Sequence, residues 1–85
     1  MYFVYVLYSL KFDRSYIGLT TDLDRRLNQH NAGQNSSTKP FVPWKIVHTE
    51  EFPTIHEARE REKFLKTAAG RRWRKINIRP RGATE

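Results

Sequence analysis

The chain has 85 residues and no cysteine, with a formal net charge of +7 and a pI near 10.2. This length fits one domain. The lack of cysteine excludes a disulfide framework or a thiolate zinc site and suits a reducing cytosol. The start of the chain lacks the features of a signal peptide, and every apolar run is shorter than the ~18 residues of a membrane span. We therefore expect a cytoplasmic protein without a membrane partner.

Positive charge is concentrated in the last third of the chain. Ten of the sixteen lysines and arginines lie between Arg59 and Arg81, where only Glu60 and Glu62 oppose them. A basic chain of this kind usually meets a polyanion, and nucleic acid is the commonest one. The alternative is a charged face that only keeps the protein soluble.

The first twenty residues predict a β-hairpin. The segment from Tyr2 to Tyr8 is aromatic and β-branched with no polar face, which is typical of a central strand buried on both sides. Residues 11–15 are polar enough to form a turn, and the segment from Tyr16 to Thr20 is again strand-like.

A helix should follow the hairpin. Thr21 can cap it, with Asp24 completing a capping box, and Gly33 is the natural stop. One face of this helix carries residues at helical spacing, namely Leu23, Arg26, Leu27 and His30.

The second half of the chain predicts a loop over residues 32–43, a third strand over residues 44–52 and two more helices. Thr54 caps the longer helix, with Glu57 completing a second capping box, and Gly70 should break it before a short helix over residues 71–78. Its stripe contains Ile55, Ala58, Glu62, Leu65 and Ala69.

The element order β-β-α-β-α-α predicts an α+β fold, in which a small three-stranded antiparallel sheet is flanked by helices. We expect one domain over residues 1–78 and a flexible basic tail over residues 79–85.

Two charged residues lie on otherwise apolar helical stripes, where an unpaired charge is costly. Arg26 either snorkels beside the sheet edge or binds phosphate with its fixed fork of donors. Glu62 either pairs with Arg26 or another arginine, or holds Mg²⁺, which needs only one or two protein carboxylates.

Three further residues have both a packing and a chemical interpretation. Tyr5 and Tyr16 face each other across the hairpin, either as a packing pair or as groups that position or deprotonate a water. His30 is either a hydrogen-bonded edge residue or a proton carrier. Gly18 in mid-strand favours a close approach, for which a phosphate backbone is a candidate.

The order and spacing of these residues resemble the GIY-YIG endonuclease family, in particular its small single-domain bacterial members. Phe3-Val4-Tyr5 stands at the GIY place, and Tyr16-Ile17-Gly18 is the YIG motif itself. The segment from Gly18 to Asn31 is similar to the arginine-bearing helix of the family. The resemblance covers about residues 2–77 and extends to the N-terminal nuclease module of excinuclease.

The resemblance implies a metal-dependent endonuclease that hydrolyses DNA with one Mg²⁺ or Mn²⁺ ion, in DNA repair or recombination. By position, Tyr5 would accept the proton of the attacking water, Tyr16 would hold the nucleophile or the scissile phosphate, and Arg26 would stabilise the phosphorane. His30 would assist proton transfer, and Glu62 would hold the metal. Asn77 lies near the place of a family asparagine.

The chain departs from its relatives at Leu19, where the excinuclease module has a lysine, and in the loop after the first helix. Homing enzymes carry a further histidine in that loop, for which Thr38, Lys39 and His48 are the candidates here.

The implied partners are DNA, with branched and damaged DNA as candidates, and a protein that supplies specificity. Trp73 either stacks on a base or packs in the core, and we expect it in the core. A nucleic-acid-binding module with little turnover is the alternative function, and a subunit that docks on an acidic protein is a third. The residues expected to contact nucleic acid are Gly18, Arg25, Arg71, Arg72, Arg74 and Lys75.

Overall fold

A computed structural model describes residues 1–78 of the chain. Its elements run in the predicted β-β-α-β-α-α order and confirm the α+β fold. The strands are β1 (Tyr2–Ser9), β2 (Arg14–Thr20) and β3 (Lys45–Phe52), and the helices are α1 (Leu23–Asn31), α2 (Ile55–Leu65) and α3 (Ala68–Asn77). A 3-10 turn (Lys39–Phe41) lies in the loop between α1 and β3. The predicted tail over residues 79–85 falls outside the described residues.

The sheet is antiparallel with the strand order β2-β1-β3, so β1 is central, as its apolar sequence predicts. In the β1–β2 pair, Tyr5 lies opposite Gly18 and Leu7 opposite Tyr16. Opposed residues of an antiparallel pair share one face of the sheet. These four residues therefore lie on the same face, and Val4, Val6 and Ile17 lie on the other.

A different layer covers each face. On the first face, the buried residues Tyr5, Leu7 and Trp44 contact Leu23 and Leu27 of α1 and residues of the loop between α1 and β3. We call this the α1 face. On the opposite face, a second buried cluster joins the sheet to α2 and α3, and it consists of Val4, Val6, Ile17, Ala58, Leu65 and Ile78.

The first helix begins one residue later than predicted. Asp22, not Thr21, is its N-cap, because the Asp22 side chain accepts a hydrogen bond from the backbone N–H of Arg25 at 3.1 Å. The Thr20 hydroxyl in turn accepts the N–H of Asp22 at 3.1 Å. Gly33 follows the end of the helix with φ of +78°, as the stop signal predicts.

The prediction that Gly70 breaks the second helix is wrong. α2 ends at Leu65, and Thr67 caps α3 by accepting the N–H of Gly70 at 3.1 Å. Gly70 therefore lies inside α3, and so Ala69 does not belong to the stripe of α2. A Cβ on Gly70 would overlap the backbone of Phe64 and Leu65. The missing side chain lets α3 pack against the end of α2.

Trp73 packs where the core expectation placed it. It is partly buried against the α2–α3 cluster, and the Arg61 guanidinium lies 4.6 Å from its ring centre. Arg61 also donates two hydrogen bonds to Glu50, at 2.8 and 3.1 Å. These contacts join β3, α2 and α3.

Within residues 1–78, none of the helices combines the length and the apolar character needed to cross a membrane.

Gly70→Ala should destabilise the protein, although alanine is intrinsically the better helix former. Because the new Cβ would meet backbone atoms that cannot rotate away, we expect a loss of about 1–3 kcal/mol in the free energy of unfolding, measured by urea denaturation. Ala69→Gly, at the exposed neighbouring position, should cost only the ordinary ~1 kcal/mol of helix propensity. A Gly70→Ala protein more stable than the wild type would contradict this packing.

Candidate active site

The phenol of Tyr5 lies over the outer strand of the sheet because residue 18 has no side chain. Gly18 is buried directly opposite Tyr5, and a Cβ at that position would overlap the Tyr5 hydroxyl and the ring carbon that bears it. Gly18 thus serves the close approach of a side chain of this protein, whereas the sequence suggested the approach of a phosphate. The consequence is a tyrosine, only 2% exposed, whose hydroxyl is directed toward β2 and α1.

A chain of hydrogen bonds leads from Tyr5 into the loop after α1. The Tyr5 hydroxyl lies 3.0 Å from Nε2 of His30, and His30 Nδ1 lies 2.8 Å from the Thr38 hydroxyl. The Thr38 hydroxyl donates its own proton to the Asn35 carbonyl, at 3.4 Å. Thr38 must therefore accept from Nδ1–H, and this leaves Nε2 without a proton. In this arrangement Tyr5 donates and His30 accepts.

Arg26 supplies the second hydrogen bond to Tyr5. Its Nε donates to the Tyr5 oxygen at 3.3 Å, and another guanidinium nitrogen donates to Gln29 Oε1 at 3.0 Å. The hydrogen bond to Tyr5, opposed in part by burial, raises the pKa of Arg26, and Tyr16 contributes in the same direction. Arg26 therefore holds a fixed positive charge beside both phenols.

Burial shifts the pKa values of the two proton-carrying groups away from their charged forms. It raises the pKa of Tyr5 above 10.0, although the hydrogen bond and charge of Arg26 oppose the shift. It also lowers the pKa of His30 below 6.5, and the Arg26 charge adds to this lowering. At neutral pH the cluster therefore holds a neutral phenol and a neutral imidazole.

Tyr16 completes the cluster on the α1 face. Its ring centre lies 5.0 Å from that of His30 and 6.4 Å from that of Tyr5. Unlike Tyr5, Tyr16 is only partly buried. The structure thus brings together four of the predicted residues, Tyr5, Tyr16, Arg26 and His30, with one face of the cluster toward solvent.

Glu62 comes from α2, on the layer opposite α1, yet its charge acts on the cluster. Its carboxylate is among the groups that raise the pKa of Tyr5, after burial and Tyr16. Its hydrogen-bond partner is Lys66 at 3.1 Å, and not Arg26 as one interpretation of the sequence had it. The Glu62 side chain is 22% exposed and that of Lys66 is 54% exposed, so this pair is a weak, solvated i,i+4 contact that a ligand can displace.

The donor set near Glu62 fits one hard divalent ion. Among residues 1–78, no group of three or more histidine, aspartate or glutamate side chains is arranged to hold a metal. Zinc in proteins generally takes three or four such ligands. Mg²⁺ and Mn²⁺ accept a single carboxylate and complete their shells with water and phosphate oxygens.

The structure places the remaining predicted residues away from the Tyr5 cluster. Asn77 lies in the last turn of α3 and donates to the Trp73 carbonyl at 2.9 Å. Arg74 is half-buried and donates to the Leu65 carbonyl at 3.1 Å, which ties α3 to the end of α2. The exposed cations are Arg25 on α1 and Arg71, Arg72 and Lys75 on α3.

Two residues of the hydrogen-bond chain have no role predicted from the sequence. Thr38 is there only a candidate stand-in for a loop histidine, and Gln29 is not singled out at all. The signal for Gln29 is its spacing, three residues after Arg26 on one helix. Thr38 is 1% exposed, which no loop pattern predicts. The other loop candidates lie elsewhere, because Lys39 is exposed and His48 pairs with Glu50 at 2.8 Å.

Comparison with known proteins agrees with this geometry. The profile of the GIY-YIG catalytic domain matches residues 1–77. The chain belongs to the GIY-YIG family, and so to a family of nucleases.

Several relatives carry the UPF0213 name. The UPF0213 protein of Natronomonas pharaonis is 37% identical over 67 residues, which cover 78% of each chain. That of Haloquadratum walsbyi is 42% identical over 53 residues, which cover 61% of this chain and 60% of the relative. The solution NMR structure of the UPF0213 protein from Bacillus halodurans aligns with a TM-score of 0.53 and 33% identity, over 89% of this chain and 82% of that one.

Gly18→Ala should damage the site by displacing the Tyr5 phenol. We expect a loss of about 1–3 kcal/mol in the free energy of unfolding, the usual cost of overfilling a packed position. Shortening the partner should relieve the overlap, so the double variant Gly18→Ala/Tyr5→Ala should be less destabilised than the sum of its single variants. Strict additivity in a urea-denaturation cycle would show that Gly18 does not accommodate Tyr5.

Proposed function

We propose that this protein is a metal-dependent endonuclease that hydrolyses DNA phosphodiester bonds. The observation that carries the proposal is the Tyr5 hydroxyl held between a donor, Arg26, and a neutral acceptor, His30. This arrangement lets a phenol take up one proton while it gives up another. Membership in the GIY-YIG family supports the same reaction class.

Tyr5 acts as a proton relay in this proposal. A phenolate base is disfavoured here, because burial raises the pKa of Tyr5. A neutral phenol avoids that cost if its oxygen takes the proton of the attacking water while its own proton passes to His30 Nε2. His30 is neutral at physiological pH, since its pKa lies below 6.5, and it can receive that proton.

Arg26 and Tyr16 bind the phosphate in this proposal. As the reaction proceeds, negative charge grows on the phosphoryl oxygens, and a preorganised guanidinium stabilises it. Arg26 is already held by Tyr5 and Gln29, so little reorganisation is needed. The partly exposed Tyr16 hydroxyl is positioned to donate to the same phosphate.

Glu62 is the residue that would hold a divalent ion, Mg²⁺ or Mn²⁺. When bound, such an ion supplies Lewis-acid stabilisation of the leaving oxygen. The weak pairing of Glu62 with Lys66 leaves its carboxylate available for this role. A function in DNA repair or recombination, and a protein partner that supplies specificity, belong to the same proposal.

A nicking assay on supercoiled plasmid with Mg²⁺ tests the proposal. Glu62→Gln keeps the shape of the side chain but removes its charge, and Arg26→Ala removes the phosphate ligand. Each should slow nicking by roughly 100-fold or more, since each interaction contributes several kcal/mol to the transition state. Glu57→Gln, an exposed acid in the first turn of the same helix, is the matched control and should retain wild-type activity.

The other outcomes of this assay also discriminate. No nicking by any form, together with DNA binding that weakens steeply with salt, would replace the nuclease with a nucleic-acid-binding module. Equal nicking by all four proteins would indicate a contaminating enzyme.

Thr38→Val should slow catalysis although Thr38 does not reach the substrate. The isosteric valine removes the acceptor of Nδ1–H and so the preference for the tautomer with a free Nε2. We expect a fall of about 10–100-fold in kcat, as for other residues that orient a reactive imidazole. The wild-type rate should rise with pH through the lowered pKa of His30 and then level off.

Thr38→Ser is the control because it restores the hydroxyl, and it should recover most of the rate and the wild-type pH profile. If Val and Ser variants were equally active, Thr38 would have only a packing role.

A further inference from the structure

The tip of the β1–β2 hairpin presents an aromatic ring and an aliphatic side chain to solvent. Phe12 is 41% exposed and Leu10 is 66% exposed. Hairpin tips are usually built from small polar residues and glycine. Exposed apolar groups that cluster on one surface generally mark a binding site.

Cations and a second ring surround Phe12. The rings of Phe12 and Phe41 pack edge to face with centres 5.6 Å apart. The Arg14 guanidinium lies 4.5 Å from the centre of Phe41, and the Lys11 ammonium lies 5.5 Å from that of Phe12. We call these four residues the hairpin platform. It combines aromatic faces with positive charge.

The backbone beside Phe12 is fixed. Asp13 adopts the left-handed conformation with φ of 52°, and its carboxylate accepts a 2.6 Å hydrogen bond from the hydroxyl of Tyr8, which is 3% exposed. The tip is therefore anchored to a buried residue of the central strand. This anchoring holds the neighbouring ring in place before any partner arrives, which lowers the entropic cost of binding.

The hairpin platform adjoins the Tyr5 cluster on the α1 face. Arg14 precedes Tyr16 by two residues on β2 and so shares its face, about 7 Å along the strand. Phe41 and Tyr16 pack against the same buried cluster. A strand whose phosphate lies at Tyr16 and Arg26 therefore meets Arg14 and Phe12 next. The basic helix α3, in contrast, packs with α2 on the opposite face.

We propose that the hairpin platform is a binding subsite for an unpaired nucleotide of a DNA strand next to the scissile phosphate. This inference rests on the proposed nuclease function and names its substrate, DNA with a single-stranded stretch. Phe12 offers its face to a base, and Lys11 and Arg14 contact the flanking phosphates. Bases in a duplex are stacked on their own neighbours and do not reach such a ring.

The chemistry of the patch favours this partner over a protein. An apolar protein surface would gain nothing from Lys11 and Arg14, whose charges border both rings. An acidic protein would pair with these cations but would make no use of the exposed face of Phe12. Nucleic acid single strands offer a π-face and a negative charge in each nucleotide, and the platform matches both.

Fluorescence anisotropy in EDTA tests the inference without any cleavage. The probes are a labelled oligothymidylate and a labelled hairpin duplex of equal length. Phe12→Ala should weaken binding of the oligothymidylate roughly 5- to 100-fold, the range observed when a stacking side chain is removed, and should change duplex binding much less. Phe12→Trp should retain the affinity for the oligothymidylate.

Ile55→Ala is the matched control, because Ile55 is 39% exposed, close to the 41% of Phe12, and lies on α2. It should leave both affinities unchanged. Equal affinities of Phe12→Ala and wild type for the oligothymidylate would overturn the inference, as would equal losses on single strand and duplex.

The test separates this inference from the proposed function. Single-strand binding that depends on Phe12, in a chain that nicks nothing, would retain the subsite and reject the nuclease. Nicking that is lost in Glu62→Gln, with binding indifferent to Phe12, would retain the nuclease and reject the subsite.

Discussion

The hydrogen bond between the Tyr5 hydroxyl and His30 is the contact on which the rest of the site depends. Both groups lie in the buried cluster between the sheet and α1, where an unsatisfied polar atom would be costly. Each is satisfied by a partner with a defined direction. Thr38 fixes the proton of His30 on Nδ1, and Arg26 directs a donor at the Tyr5 oxygen. The remaining proton, that of Tyr5, can point only to Nε2.

The two faces of the sheet divide the work of the molecule. The α1 face carries the proton relay, the phosphate-binding arginine and the hairpin platform, whereas the opposite face holds α2 and α3 together through Arg61, Glu50 and Trp73. Glu62 joins them, because its charge reaches Tyr5 from α2. The lack of a side chain at Gly18 places the Tyr5 phenol over the outer strand, where both layers can act on it. A small domain thereby assembles groups from four elements around one hydroxyl.

Helical periodicity predicted the positions of Arg26 and His30, because both lie on a stripe whose leucines must face the sheet. Periodicity could not predict the partner of His30, because Thr38 lies in a loop and approaches it only through the path of the chain between α1 and β3. The prediction for Gly70 was wrong for a related reason. A glycine after a helical stretch usually ends the helix, and only the packing of α3 against α2 shows why this one lies inside a helix. Local rules therefore predicted the elements and the stripe, whereas the contacts between elements had to come from the structure.

The tautomer and pKa of His30 test the account most directly, and NMR of nitrogen-labelled protein measures both. The account predicts that Nδ1 carries the proton and Nε2 does not at neutral pH. It also predicts that the ring titrates below 6.5, because burial and the Arg26 charge disfavour the imidazolium. A protonated Nε2, or a titration midpoint above 6.5, would contradict the relay, since Tyr5 would then have no acceptor for its proton.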